Sequence, residues 1–563
     1  MTRFIAPLLF LLSLTVTAQA PMVPTDYFDD PLQVPLALAG TFGELRSNHF
    51  HSGLDIKTQQ REGLPVYASA EGYVSRINVA HYGYGKALYI QHPNGYTTVY
   101  AHLKNFSPEI EAYIKKLQYQ NESYEVEVYP NASELPVERG ELVASSGNTG
   151  GSGGPHLHFE IRDGEQRPMN PFMFGIEIED TRAPIVSGVY AYPKGENAHV
   201  NGSAQRQKLR LIPQQDGSFK AEAIEACGEI GFGINTVDQL NAAPNRNGVY
   251  RIETGANGET LFQANFERFS FSETRHLNQL IDYGYYTQNN SRIQKLFVEP
   301  SNPLSIYREV NNQGFLNVKD SLSYNYTIKV SDFAGNERIV NIPIEGKHRN
   351  DIIEDPSNTT EFFVPANTGA QFESNGIDVY IPKNSLYQDA YLDISFEDEK
   401  INLHEDVIPL HTNISIGFDV SKYKPEDREQ MFIAQLNKWG NPSYSTTTKD
   451  GERFTTRTRS FGTYTLARDT QAPRVVPVNF KDGQWISGNK DIKVKISDDL
   501  SGISSYRATV NGKFILMEYE YKQNLLTHDF SDNVITETKN QLKIEVIDNV
   551  GNTTIFESTF FRK

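Results

Sequence analysis

Seven of the chain's 13 histidines lie between residues 49 and 158. Five residues there with metal-binding or proton-transfer chemistry fall in three short phrases: His51-Ser52-Gly53-Leu54-Asp55, Tyr100-Ala101-His102-Leu103 and Gly154-Pro155-His156-Leu157-His158-Phe159-Glu160. Imidazole nitrogens and a carboxylate are the donors that a borderline-soft ion such as Zn²⁺ accepts. On an extended strand, residues two or four apart project from one face, so His51 shares a side with Asp55, and His156 shares one with His158. Two such segments facing each other supply three ligands and leave a fourth position to water. That is the catalytic zinc arrangement, in which the ion brings the water pKa to about 7 and polarises a carbonyl. Five candidates exceed three ligands by two. Surplus histidines beside such a water suit proton transfer and transition-state donation, because imidazole titrates near neutral pH.

These phrases need rigid elements to hold them. From about residue 36 to 174 the text is strand-like and punctuated by glycine, with runs such as Lys86 to His92 and Tyr96 to His102 joined by Pro93-Asn94-Gly95. Such runs predict antiparallel hairpins. One segment breaks the pattern. Ser107 is an N-cap, Pro108 a first helical residue and Glu109 an early acid, with Ile110, Tyr113, Ile114 and Leu117 at helical spacing. A helix is expected over about Pro108 to Gln118, within an insertion of about 107–136. The run from Gly147 to Gly154 lacks a following Gly-Lys-Ser/Thr and precedes a strand, so it reads as a loop whose glycines permit close approach to substrate and not as a nucleotide site.

In this order the phrases His-x-x-x-Asp, Tyr-x-His-Leu and His-x-His-Phe-Glu resemble the lysostaphin/LytM-type zinc metallopeptidases, which cut the peptide part of bacterial peptidoglycan. The text between them matches as well: Gly63 to Ala68, Glu71 to Val74, Gly83-Tyr84-Gly85, His92 to Tyr96, Val137 to Gly140 and Gly147 to Gly150. The resemblance covers roughly residues 36–174. It implies that His51, Asp55 and His158 bind one zinc per chain and that His102 and His156 are the catalytic histidines. All five are present, unlike in family members that have lost ligands and activate other wall enzymes. His49 and His92 fit no position in the pattern and read as structural. One departure concerns the stretch from His102 to His156, which is longer than in compact members and holds the expected helix, leaving open whether the insertion restricts the cleft.

Beyond residue 175 two phrases recur. Asp180-Thr181-Arg182-Ala183-Pro184 returns as Asp469-Thr470-Gln471-Ala472-Pro473, and Asp332-Phe333-Ala334-Gly335-Asn336 returns as Asp548-Asn549-Val550-Gly551-Asn552. Each pair brackets alternating strands, as in β-sandwiches; the Asp-x-x-Gly-Asn turn resembles that of bacterial immunoglobulin-like modules. The expected organisation is a signal peptide (1–18), a peptidase domain (19–178), an immunoglobulin-like β-sandwich (179–346), a linker (347–358), a β-rich unit (359–468) and a second immunoglobulin-like sandwich (469–563), a mainly β protein throughout. Residues 180–563 show no cluster of ligand or nucleophile types, and their six histidines read as isolated.

The 563 residues are 38% hydrophobic and 22% charged, the make-up of folded domains. A net charge of −17 argues against nucleic acid and against a wall rich in anionic polymers, which points to the periplasm of a Gram-negative-type cell. Met1-Thr2-Arg3, the apolar run from Phe4 to Val16 and Ala18 read as a signal peptide with Gln19 as the mature start. No Cys follows for a lipid anchor, and no later run is long enough to span a membrane. Cys227 is alone, so no internal disulfide forms, and it reads as a buried small residue. The leading expectation is therefore an exported zinc endopeptidase acting on peptidoglycan peptides. Its β modules would position it on the wall or on a cell-envelope protein partner, and a chain ending near Gly175 should keep cleavage of small muropeptides. Three alternatives stay open: an inactive adaptor that binds wall or activates a partner hydrolase; adhesive or interaction modules whose peptidase acts on a non-wall protein; and a first sandwich that completes the cleft.

Overall fold

The computed structural model describes residues 23–354 and 359–563. The signal-peptide reading and residues 355–358 of the linker lie outside them. The first domain consists of β1 (Leu38–Gly40), β2 (Leu54–Lys57), β3 (Pro65–Tyr67), β4 (Gly72–Val79), β5 (Lys86–Gln91), β6 (Thr97–Ala101), β7 (Leu103–Phe106), α1 (Pro108–Asn121), β8 (Val126–Val128), β9 (Pro136–Val137), β10 (Leu142–Ser146) and β11 (His156–Arg162). Its main sheet runs β1-β2-β11-β6-β5-β4-β8, and β3-β10-β7 form a second, smaller sheet.

Both faces of the central strands are covered. Leu88, Ile90 and Tyr100 enter the main core of the domain, whereas Ala87, Tyr89, Val99 and Ala101 form a small cluster on the other side with Tyr84. That explains why β5 and β6 read as nearly continuous apolar runs instead of strict alternation. Because β11 is central, flanked by β2 and β6, the side chains it carries are held from both sides.

Helix α1 ends three residues later than its sequence reading, where Glu122 adopts a left-handed conformation at φ 47°. Ile110, Ile114 and Gln118 are the buried positions. The opposite side faces the last module, with Lys115 paired to Asp532 and the Tyr119 hydroxyl donating to Asp532 Oδ2 at 2.7 Å. No residue of 107–136 lines the groove described below, so the insertion serves as a docking element and leaves the cleft open.

Strands from Ile185 to Gly346 join one 12-stranded sheet, in place of two separate sandwich sheets. Its core takes in Phe42 and Phe50 of the first domain. Phe42 stacks on Phe269 at 5.0 Å between centroids, and Phe50 sits 5.2 Å from the same ring. Residues from Phe362 to Arg468 make two five-stranded sheets and a two-stranded pair; those from Arg474 to Phe561 make a four- and a five-stranded sheet. Both Asp-x-x-Gly-Asn phrases are hairpin turns, joining Ser323–Ser331 to Glu337–Gly346 and Lys539–Asp548 to Thr553–Phe561. Cys227 is a free thiol, half-buried and not fully enclosed as expected.

Candidate active site

The pairing of β2 with β11 places Asp55 directly opposite His158, so two ends of the sequence meet as a cross-strand pair. His51 enters from the loop before β2. Its backbone is fixed by His51 N donating to Glu44 O and Gly43 N donating to His51 O, both at 2.9 Å. The side chains converge: Asp55 Oδ1 is 3.0 Å from His51 Nε2 and 2.9 Å from His158 Nδ1, and the two nitrogens are 3.1 Å apart.

What lies behind each ring decides which nitrogen faces the centre. His51 Nδ1 donates to Thr41 O at 2.7 Å, leaving Nε2 as a lone pair toward Asp55. His158 Nε2 donates to Glu160 Oε1 at 2.8 Å, leaving Nδ1 inward. Outward N–H groups bonded to a carbonyl and a carboxylate are the support that metal-binding imidazoles use. Two inward lone pairs and a carboxylate, all buried, form a donor set that fits zinc, with nitrogen and oxygen ligands in the required number. Burial opposes charge on Asp55, yet His51, His156 and His158 hold its carboxyl well below the usual range. Burial likewise disfavours imidazolium at His158, but Asp55 and Glu160 raise it to about 9 when only protons compete for the site.

His102 and His156 stand beside this centre with ring centroids 4.8 Å apart. Each again turns Nδ1 outward, His102 to Thr149 O and His156 to Gly154 O, both at 2.8 Å, so both Nε2 atoms turn inward. His156 Nε2 is 3.4 Å from Asp55 Oδ1. His102 occupies the break between β6 and β7 at φ 58°, a left-handed conformation costing a non-glycine residue about 1–3 kcal/mol. Burial and the neighbouring His158 and His156 push its pKa down to about 3.

Several residues near the site had not been singled out by type and spacing. Glu160 is fully buried and accepts from Ser52, Tyr84, His158 and Arg162. The signal was present: His156, His158, Glu160 and Arg162 alternate along β11 and share one face. Arg46 Nη2 donates to Asp55 Oδ2 at 3.0 Å, orienting the carboxylate from outside. His92 is structural, bonded to Glu71 O and Thr98, whereas His49 is exposed at the rim of the groove. In the glycine run the tightest constraint faces backbone and not solvent. A Cβ on Gly150, at φ 68°, would lie 2.3 Å from Gly85 N, while Gly153 and Gly154 face open space.

The site opens into a groove of about 1390 Å³, larger than the 300–1,000 Å³ typical of small-molecule pockets. Asn245, Arg246, Phe271, Tyr286 and Arg292 of the first β module line it. The first β module therefore contributes to the cleft wall. A second long-range contact reaches the loop before His156: Lys522 Nζ of the last module donates to the carbonyls of Asn148, of Gly150 at 3.0 Å and of Ser152 at 3.3 Å. Elsewhere, His276 and His411 are also less isolated than expected, with rings 4.7 Å apart.

Fold and site together define a mainly β protein whose first domain is a peptidase sheet with clustered histidines. Residues 49–119 match the model of peptidase family M23, so the chain carries an M23 domain, and residues 361–469 match a Zu5-like domain. The chain is 36% identical over 127 residues to the DD-carboxypeptidase/endopeptidase Mpg of Neisseria meningitidis, covering 23% of each chain. It is 31% identical over 173 residues to the peptidoglycan DD-endopeptidase ShyA of Vibrio cholerae, covering 31% of each. The chain thus spans under a third of the length of these curated relatives. Among solved structures, the catalytic domain of lysostaphin from Staphylococcus simulans aligns at 22% identity over 25% of this chain and 90% of that one, with a TM-score of 0.18.

Proposed function

We propose that the protein is an exported, zinc-dependent endopeptidase that hydrolyses peptide bonds in peptidoglycan stem peptides or cross-links. The observation that carries this reading is the convergence of His51 Nε2, Asp55 Oδ1 and His158 Nδ1 beside two histidines whose Nε2 atoms turn inward. His51, Asp55 and His158 hold one zinc ion. When bound, zinc supplies Lewis acidity and activates water. Of His102 and His156, one would accept a proton through Nε2 and the other, as imidazolium with a proton on Nε2 as well, would donate to the developing oxyanion; their Nδ1 bonds fix the orientation of both rings. The groove suits an extended peptide, and Lys57, Arg246 and Arg292 along it favour one bearing free carboxylates.

In this reading residues 19–178 form the peptidase unit. Those of 179–346 and 469–563 are immunoglobulin-like modules flanking the 359–468 unit, and they hold the enzyme at the wall or on an envelope protein. The name of one curated relative, a peptidoglycan DD-endopeptidase, supports a wall substrate. Among the described residues no helix is long and apolar enough to cross a membrane. The test is metal analysis of the full chain and of Asp55→Ala, together with mass analysis of fragments released from purified peptidoglycan. We expect about one zinc and released peptides for the natural chain, with both lost in the variant. Full zinc in Asp55→Ala overturns the ligand set; zinc without released fragments identifies an adaptor.

A further inference from the structure

The region read as free of ligand clusters contains one. Asp180, Asp238 and Asp332, separated by up to 152 positions, bring carboxylate oxygens within 4.8 Å of one another. Asp238 and Asp332 are only 2% and 4% exposed. Among the described residues no lysine or arginine forms an ion pair with any of the three. Two oxygens, Asp180 Oδ2 and Asp238 Oδ1, are buried with no hydrogen-bond partner at all. An unpaired buried carboxylate oxygen costs several kcal/mol unless something replaces its water, and here two of them belong to a group of three like charges.

The scaffold around the three is firm. Asp332 heads the Asp-x-x-Gly-Asn turn and accepts from Asn336 N at 2.9 Å and from Asn336 Nδ2 at 2.8 Å. The same Asn336 amide reaches Asp180 O at 3.2 Å. Asp238 is held by reciprocal backbone bonds with Asn247 at 2.9 and 2.8 Å. These bonds leave the unpartnered oxygens of Asp180 and Asp238 unused. The recurring phrases build a matching frame from Asp469, Asp498 and Asp548, with Asn552 Nδ2 on Asp469 O at 3.0 Å. There, however, Asp469 Oδ2 accepts from Ser501 N and Asp498 Oδ2 from Gly502 N. The comparison isolates what is special at the first triad, whose matching oxygens receive nothing.

We propose that Asp180, Asp238 and Asp332 form a calcium site that fixes the first β module against the peptidase domain. All donors are hard oxygens, which suit calcium and not zinc. Calcium also tolerates the irregular geometry that a junction between two domains supplies. The location gives the ion its role: the triad borders a cavity between Phe172, Ile176 and Glu177 on the peptidase side and Tyr250 and Phe333 on the module. Burial and the charges of Asp332 and Asp180 push Asp238 up to about 7, as expected of carboxylates lacking a counter-ion. The competing explanation is a proton shared within the triad.

The test uses the full zinc-loaded chain, freed of calcium with a calcium-selective chelator and titrated with calcium chloride by calorimetry at pH 7.5. We expect binding with Kd on the order of 10⁻³ M or tighter, the range of extracellular modules. Asp238→Asn should weaken it at least tenfold and take up one ion fewer; any binding at the second triad is common to both proteins and cancels. Without calcium the variant should melt no lower than the natural chain, because repulsion is relieved, and saturating calcium should reverse the order. Should Asp238→Asn misfold, Asp180→Asn is read in the same way. Equal calcium uptake by variant and natural chain overturns the proposal. So does a natural chain whose melting responds to pH near 7 but not to calcium, which assigns the triad to a shared proton. Zinc content measured in the same samples keeps this result separate from the peptidase reading.

Discussion

Replacing Phe269 with alanine tests whether the first β module is structurally continuous with the catalytic domain. Phe269 is 1% exposed, and two of its ring neighbours, Phe42 at 5.0 Å and Phe50 at 5.2 Å, belong to the segment that carries His51. A buried Phe→Ala change costs about 3–5 kcal/mol in all. With aromatic pairs contributing about 0.5–1.5 kcal/mol each, about 1–3 kcal/mol of that falls on the two contacts across the boundary. At 1.4 kcal/mol per tenfold, opening of residues 41–58 should become roughly 5- to 150-fold more frequent. Hydrogen exchange followed by mass spectrometry on peptides covering that segment measures this directly. Phe418→Ala is the control, because Phe418 is equally buried in a separate core and should leave the segment unchanged. If Phe269→Ala loosens only its own module while exchange over 41–58 stays at the natural rate, the shared core is energetically idle and the reasoning fails.

Three further outcomes are expected. Glu160→Gln weakens the charge-assisted bond that orients His158, so zinc affinity measured against a competing chelator should fall about 10- to 100-fold; an unchanged affinity removes Glu160 from the site. His102→Ala and His156→Ala should retain metal but lose turnover on the order of 10²-fold or more, and metal loss in either moves that residue among the ligands. A chain ending after Gly175 exposes Phe42 and Phe50, and it should lose cleavage of small muropeptides together with that of intact sacculi; full activity on the small substrates would restore a purely positioning role for the modules.

Part of the site was legible because a strand's period of two is written in the sequence: it puts His156 and His158 on one face of β11, whereas His51 reaches Asp55 from the loop before β2 and not along a shared strand. The helix at Pro108 announced itself through its cap, its proline and its apolar spacing. What stayed hidden depends on contacts with no local signature. Nothing around His102 signals a left-handed backbone, which arises because β6 must break there to start β7 in the second sheet. The recurring phrases flagged Asp180 and Asp332, but Asp238 lies between them in unremarkable text and joins them only through the fold. Nor could periodicity disclose that Arg246 and Arg292 border the groove, since they arrive on loops of a different module.

The contact of Lys522 with the carbonyls of Asn148, Gly150 and Ser152 ties positions about 370 residues apart. Contacts of such sequence separation form late, since the intervening chain must be ordered before they can close. The peptidase sheet emerges early in synthesis, whereas the loop before His156 obtains its ammonium partner only after the last module has folded. Assembly therefore has a direction, from a sheet that can form first to a loop that is completed last. The loop before His156 would thus be completed at the end of folding and not at the beginning.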